Sequence, residues 1–235
     1  MKLTCCRSSA LQPLAFSLQP SPTIAANHRP SGIGYLVSVL IACLCLLTTG
    51  CLTRPALTVQ TFDFTAPETN TAAASAAQAQ GPVLAIRTLK IMPPYDGCSF
   101  VYRTGESSYV RDPYAEFISA PAQLLAPQIG QLLVQDGHFS SIVRPTGGVK
   151  PDQLAEITVS QLYGDFRDRA HPQAILTLRF TLLSATNGMT GQVLFQKAYT
   201  RSLPMDSASP VALIHAWNQA LTEITTEISS DLPRE

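Results

Sequence analysis

Few side chains in this 235-residue sequence are spaced for chemistry. His138, His171 and His215 stand far apart, with no Glu-x-x-His, His-x-x-x-His or Cys-x-x-Cys around them, so no metal-ligand set is legible. No Gly-x-Ser-x-Gly elbow and no Gly-x-x-x-x-Gly-Lys loop occurs, which removes the signatures of a serine hydrolase and of a nucleotide phosphate cradle. Gly147-Gly148 reads as a turn. Asp165-Phe166-Arg167-Asp168-Arg169 is the densest ionic stretch, and opposite charges alternating after a strand make a solvated loop or edge. The expectation is no catalytic residue, no metal, no nucleotide and no dissociable cofactor.

Two features remain. The first is a thiol, Cys51, placed directly after an apolar run. The second is Tyr102 to Phe117, which gathers Tyr102, Tyr109, Tyr114 and Phe117 with Arg103 and Arg111 in a chain that is only 7% aromatic. Amphipathic aromatics at that density either pack onto a sheet and helix or form a surface facing a partner or lipid, and the two readings are compatible.

The setting of Cys51 is uneven in charge. Residues 1–50 contain Lys2, Arg7 and Arg29 and no acidic residue, and no charge occurs from Ser31 to Thr53. Ile33 to Leu47 is continuously apolar, the length of a secretory h-region and shorter than the roughly 20 residues that span a bilayer. The run closes in Leu47-Thr48-Thr49-Gly50-Cys51, which is similar to the lipobox of a bacterial lipoprotein precursor. The resemblance implies cleavage after Gly50 and covalent acyl chains on Cys51, while Leu52 in place of Asp implies transfer to the outer membrane, facing the periplasm. Thr48 departs from the pattern, which prefers Leu there. Acyl chains gain about 0.8 kcal/mol per buried methylene, and stable anchoring takes more than one chain. The alternative is an uncleaved transmembrane anchor in which Cys51 is an ordinary residue.

Asn27 to Gly50 alone makes a normal signal, so residues 1–26 are expected to be unstructured or not translated. With Cys5, Cys6, Cys43 and Cys45 in the leader and Cys51 acylated, Cys98 is expected to be a semi-buried thiol in a loop, without an internal disulfide. The chain after Gly50 carries 13 basic and 16 acidic side chains, a net charge of −3. That balance excludes a nucleic-acid binder driven by counterion release.

The elements that must position these features follow from periodicity. Ala56 to Phe64 suggests a short strand, and Thr65 to Gln80 is Ala-rich with no large apolar side chain, a flexible loop. Val83 to Ile91 is a strong strand closed by Pro93-Pro94, and Ser99 to Arg103 is another, broken at Gly105 to Ser108. Pro121 to Gln135 repeats Leu124, Leu125, Ile129, Leu132 and Leu133 at helical spacing, with Gly137 as its stop and Pro127 as a kink or the first turn of its regular part. His138 to Val143, Glu156 to Tyr163 and Ala174 to Leu183 read as strands. Thr186-Asn187-Gly188 then turns into a hairpin partner at Gln192 to Thr200. Ser209 caps a last helix that opens at Pro210 and carries Val211, Ile214, Trp217, Leu221, Ile224 and Ile228 on one face.

The fold class expected is α+β: a single domain with an antiparallel or mixed sheet and two main helices packed on one face. The organisation is a leader over 1–50, a lipid-anchored segment over 51–82 and a periplasmic α+β domain over 83–232.

The order of these features resembles the ABC-type transport auxiliary lipoprotein family across residues 51–232: lipobox, short strand, Ala-rich gap, strand ending near Pro, Phe100-Val101-Tyr102-Arg103, a Tyr-rich loop, Pro121-Ala122-Gln123-Leu124-Leu125, Gly137-His138-Phe139 and a closing helix. The family usually has Trp where this chain has Phe117. The resemblance implies a non-enzymatic subunit of a Pqi-type or Mla-type system, in which an inner-membrane ABC transporter and an MCE-domain protein move phospholipid between membranes. The MCE protein is then the expected partner, and the membrane is reached through the lipid anchor. A second reading is an outer-membrane assembly lipoprotein that chaperones or plugs another envelope protein. A third, an envelope hydrolase, would need Cys98, His138 or His171 to be essential.

Overall fold

The structure, a computed structural model, describes residues 58–65, 81–145, 148–186 and 189–233. In chain order these form β1 (Gln60–Phe62), β2 (Val83–Ile91), a 3-10 turn (Pro93–Tyr95), β3 (Ser99–Arg103), β4 (Tyr109–Phe117), α1 (Pro121–Gln135), β5 (Ser141–Val143), β6 (Gln153–Asp165), β7 (Gln173–Thr186), β8 (Met189–Pro204) and α2 (Pro210–Asp231). All eight strands belong to one mixed sheet, and both helices pack against a single face of it, α1 over β2 and β5 and α2 over β7 and β8. The α+β expectation therefore holds.

Strand β6 is the spine. Along one side it pairs antiparallel with β7 from Gln153↔Ser184 to Asp165↔Gln173, and β7 pairs antiparallel with β8. Its other side is shared: Gln153 to Val159 pair in parallel with β2, whereas Gly164 and Asp165 pair in parallel with Tyr102 and Arg103 of β3. The sheet thus forks, with β2–β5 on one branch and β3–β4–β1 on the other.

Local chemistry explains the boundaries. Ser209 accepts a hydrogen bond from the Ala212 N–H, and Pro210 opens α2 where its missing donor costs nothing. Helix α1 ends with Gly137 at φ +77°, whose N–H donates to the Val134 carbonyl, a left-handed stop that only glycine adopts without strain. In β6 the register shifts between Val159 and Gln161, so the inward set passes from Ile157 and Val159 to Leu162.

The core lies between the sheet and the helices, around Trp217. This indole is fully buried, donates to the Ile175 carbonyl at 3.2 Å, and meets Phe64, Phe100 and Phe117. Leu125, Ile129 and Leu133 of α1 and Leu213, Leu221, Ile224 and Ile228 of α2 complete it. Val211, placed on the buried face by periodicity, is instead exposed in the first turn, and Leu213 takes the inward position. On the opposite face, β6–β8 present a solvated ladder in which Thr177 links Gln161 and Thr200, and Gln196 donates to Thr181.

Three expectations change. The first strand is only Gln60–Phe62, and its anticipated start at Ala56 and Leu57 lies outside the described residues, as do Cys51, the Ala-rich stretch after Thr65, Gly147, and the Asn187-Gly188 turn. His138 to Val143 contracts to β5. The Tyr-rich loop is a nine-residue strand, β4, whose period is hidden by Asp112-Pro113; proline is tolerated there because it falls in the irregularity of the β3–β4 pairing and beyond the three residues, Ala115 to Phe117, that β1 covers on the other side.

Candidate functional site

Strand β4 carries the aromatic segment and sorts its residues by face. Phe117 is 2% exposed, with ring centroids 4.6 Å from Phe100, 5.3 Å from Phe64 and 5.7 Å from Trp217. As a candidate contact residue it is corrected to a core residue, because the inward parity of β4 points it at α2. Tyr102 is half-buried: its ring stacks on Phe166 at 4.6 Å and its hydroxyl donates to Asp112 Oδ2 at 2.6 Å. Burial first, then that hydrogen bond and the Asp112 charge, hold the phenol far above its ordinary value.

Tyr109 and Tyr114 are the exposed pair, each 45% accessible. Tyr109 stands edge-on to Tyr163 at 5.6 Å beneath the Arg103 guanidinium, 5.9 Å from the ring centroid. Arg103 also donates to the Gly105 and Glu106 carbonyls at 3.2 and 2.6 Å, which ties the β3–β4 tip to the strand carrying it. Tyr95, delivered by the 3-10 turn, stacks on Tyr163 at 5.8 Å; burial, then the neighbouring Tyr109, pushes its phenol up to about 12. Val110 on β4 and Ile118 just after its end add exposed apolar surface.

Asp112 organises this region, and sequence reasoning missed it. One carboxylate oxygen takes the Tyr102 hydroxyl, and the other accepts from the Tyr114 and Ala115 N–H groups at 2.7 and 3.2 Å. Pro113 has no N–H to offer. Together they occupy the margin where another strand would pair, so β4 offers side chains more than backbone. Asp before Pro was the available signal, since Asx side chains bond backbone two residues on.

The other candidates are self-contained. Asp165 is chelated by Arg167 at 2.7 to 3.1 Å, and these hydrogen bonds hold its carboxyl below the ordinary value. Asp168 accepts from Ala170 N–H and meets His171 Nδ1 at 2.8 Å. A cleft of about 1110 Å³ near the C-terminal ends of both helices includes Asp136, His138 and Asp152, but Asp136 accepts from Ser229 and Asp152 from the Val83 N–H. Among the described residues no group of acidic, His or Cys side chains could hold a metal, and no helix is long and apolar enough to cross a membrane. Cys98 is 7% exposed and disulfide-bonded, which corrects the expectation of a thiol without a disulfide; its partner lies outside the described residues.

These features define a small α+β domain whose distinctive exposed feature is an aromatic sheet margin. The chain belongs to the family described as the ABC-type transport auxiliary lipoprotein component, matched over residues 62–229. The crystal structure of protein XCC0632 from Xanthomonas campestris is similar at TM-score 0.57 and 19% identity, covering 72% of this chain and 92% of that one. The crystal structure of an uncharacterized protein gives a TM-score of 0.57 at 13% identity, covering 74% of this chain and 98% of that one. At these identities the likeness carries the fold alone. No curated protein matches the chain.

Proposed function

We propose that this lipoprotein is a non-enzymatic subunit of an MCE-type lipid transport system, anchored in the outer membrane through acyl chains on Cys51, and that it binds the MCE component in the periplasm. The observation that carries the reading is the end of β4, where Tyr109 and Val110 are exposed on a rigid strand and Tyr109 is braced by Arg103 and Tyr163. Braced aromatics lose little entropy on binding and are the side chains that dominate interface energetics. Tyr102 acts from behind, through Asp112, as a positioning residue. Cleavage after Gly50 would remove Cys5, Cys6, Cys43 and Cys45, and a sulfur holding a thioether cannot also join a disulfide, so the Cys98 disulfide of the full chain would not persist in the acylated mature chain.

The test is capture of the cognate MCE protein by the full lipidated chain, with Tyr109→Ala and Val110→Asp as variants. The expected result is retention by the parent and at least tenfold weaker retention by the double variant, which still unfolds cooperatively. Equal retention by both removes β4 as the contact. Failure of the parent to retain the MCE protein, beside a positive control, removes the proposed partner.

A further inference from the structure

The register of β1 on β4 fixes where the N-terminal segment joins the sheet. Gln60 pairs with Ala115 and Phe62 with Phe117, and Phe62, Ala115 and Phe117 pack into the core. By strand alternation Thr61 and Glu116, and with them Val59 and Tyr114, lie on the opposite face. Ile118, whose N–H donates to the Phe62 carbonyl, follows the same alternation. Val59, Tyr114 and Ile118 are 44%, 45% and 59% exposed, so three large apolar side chains surround the root of the chain leading to Cys51.

The tether is short. From Cys51 to Val59 a fully extended chain reaches at most about 29 Å, and a flexible one averages roughly 16 Å. With Cys51 held in the bilayer, the patch at the tether's root is therefore confined near the lipid surface, where even a weak contact is populated because the encounter is intramolecular. Tyrosine beside aliphatic side chains suits the interfacial layer, the ring meeting the acyl boundary and the hydroxyl the headgroups. The charges beside the patch are acidic, exposed Asp63 and half-buried Glu116, which disfavours an anionic surface and favours zwitterionic headgroups.

We infer that Val59, Tyr114 and Ile118 form a foot that seats the domain on the zwitterionic lipid surface carrying its anchor. This rests on acylation of Cys51. It divides β4 by function: the Tyr114–Ile118 end meets lipid, and the Tyr109 end, about 17 Å along the strand, is presented to the periplasm.

The experiment uses the mature chain, with the acyl chains on Cys51 verified by the mass of its N-terminal peptide, reconstituted in phosphatidylcholine vesicles with and without brominated phosphatidylcholine. Tryptophan is introduced singly by Tyr114→Trp, Ile118→Trp and, as a control on the far edge of the same face, Thr200→Trp; native Trp217 is buried and common to all. The expected result is bromine quenching at least twofold greater at positions 114 and 118 than at position 200. Equal quenching at the three positions in acylated protein overturns the foot alone. A blue shift at 114 without bromine quenching marks a protein over the patch, including a second copy, and also overturns it. A mature chain without acyl groups overturns the anchor and the foot together.

Discussion

Asp112 and Phe117 set the properties of the aromatic segment one residue at a time. Asp112 satisfies a phenol and two backbone donors, so Asp112→Ala leaves Tyr102, Tyr114 and Ala115 short of acceptors. The expected loss is about 1 to 2 kcal/mol, since hydrogen bonds to a charged acceptor are worth more than neutral ones but these are partly solvated. Urea unfolding would measure it; a change below about 0.3 kcal/mol would mean that water replaces the carboxylate. Phe117→Ala opens a cavity against Phe64, Phe100 and Trp217 and should cost about 3 to 5 kcal/mol, read in the same way. The residue types of this segment were legible in the sequence, but their faces were not. Tyr114 and Phe117 are three apart, and deciding which turns inward needs a register that Asp112-Pro113 obscures. Cys98 was misread for another reason: disulfide pairing is a relation between two residues, and arithmetic on spacing does not supply it.

At the scale of elements, α2 is fastened to β8 by charge as well as by its apolar face. Lys197 bridges Glu227 and Asp231 at 3.0 and 2.7 Å, Arg201 bridges Glu223 and Glu227 at 3.1 and 2.6 Å, and the Tyr199 hydroxyl donates to Asp231 at 3.0 Å. The Arg201 hydrogen bond, then that of Lys197, lowers the Glu227 carboxyl, and the Lys197 hydrogen bond lowers that of Asp231. Carboxyls depressed in the folded state contribute stability that is complete above their unfolded values of 4.5 and 3.8 and is lost as the pH falls through the lower folded ones. A Glu227→Gln, Asp231→Asn variant should therefore have a lower Tm than the parent near neutral pH and a smaller fall in Tm on acidification below about pH 5. Parallel Tm curves for the two proteins would contradict the clamp. Added salt should narrow the difference near neutrality, because these pairs are solvated and screened.

Both helices, the stop of α1, the cap of α2 and five of the eight strands were readable because strong signals coincide there: Pro at N1, Gly after the last turn, and apolar periods of about 3.6 or 2. β1, β4 and β5 were blurred or missed. They are short or marginal strands whose stability comes from pairing with partners distant in sequence, which leaves little trace in their own residues.

For the whole molecule, the family and the fold class were both within reach of the sequence, whereas the fork of the sheet at β6 was not, since it depends on two parallel pairings that share one side of a single strand. On the β3–β4–β1 branch the short β1 covers only Ala115 to Phe117, so the Tyr109 end of β4 is left on an open edge, braced by Tyr163 and, through it, Tyr95, and the functional account depends on this position. Net charge adds no steering of its own: the chain after Gly50 is close to neutral for its size, so the recognition proposed for β4 rests on shape and aromatic contact more than on long-range attraction. Association with a partner through Tyr109 should accordingly weaken little between low and physiological salt.

The central claim, that the Tyr109 end of β4 meets the MCE component, is tested most directly by placing a photo-crosslinking side chain at position 109 in the native envelope, with position 200 on β8 as a control. The account predicts a covalent adduct with the MCE protein from position 109 and none from position 200. An adduct from position 109 with a different envelope protein, or adducts of equal yield from both positions, would contradict it.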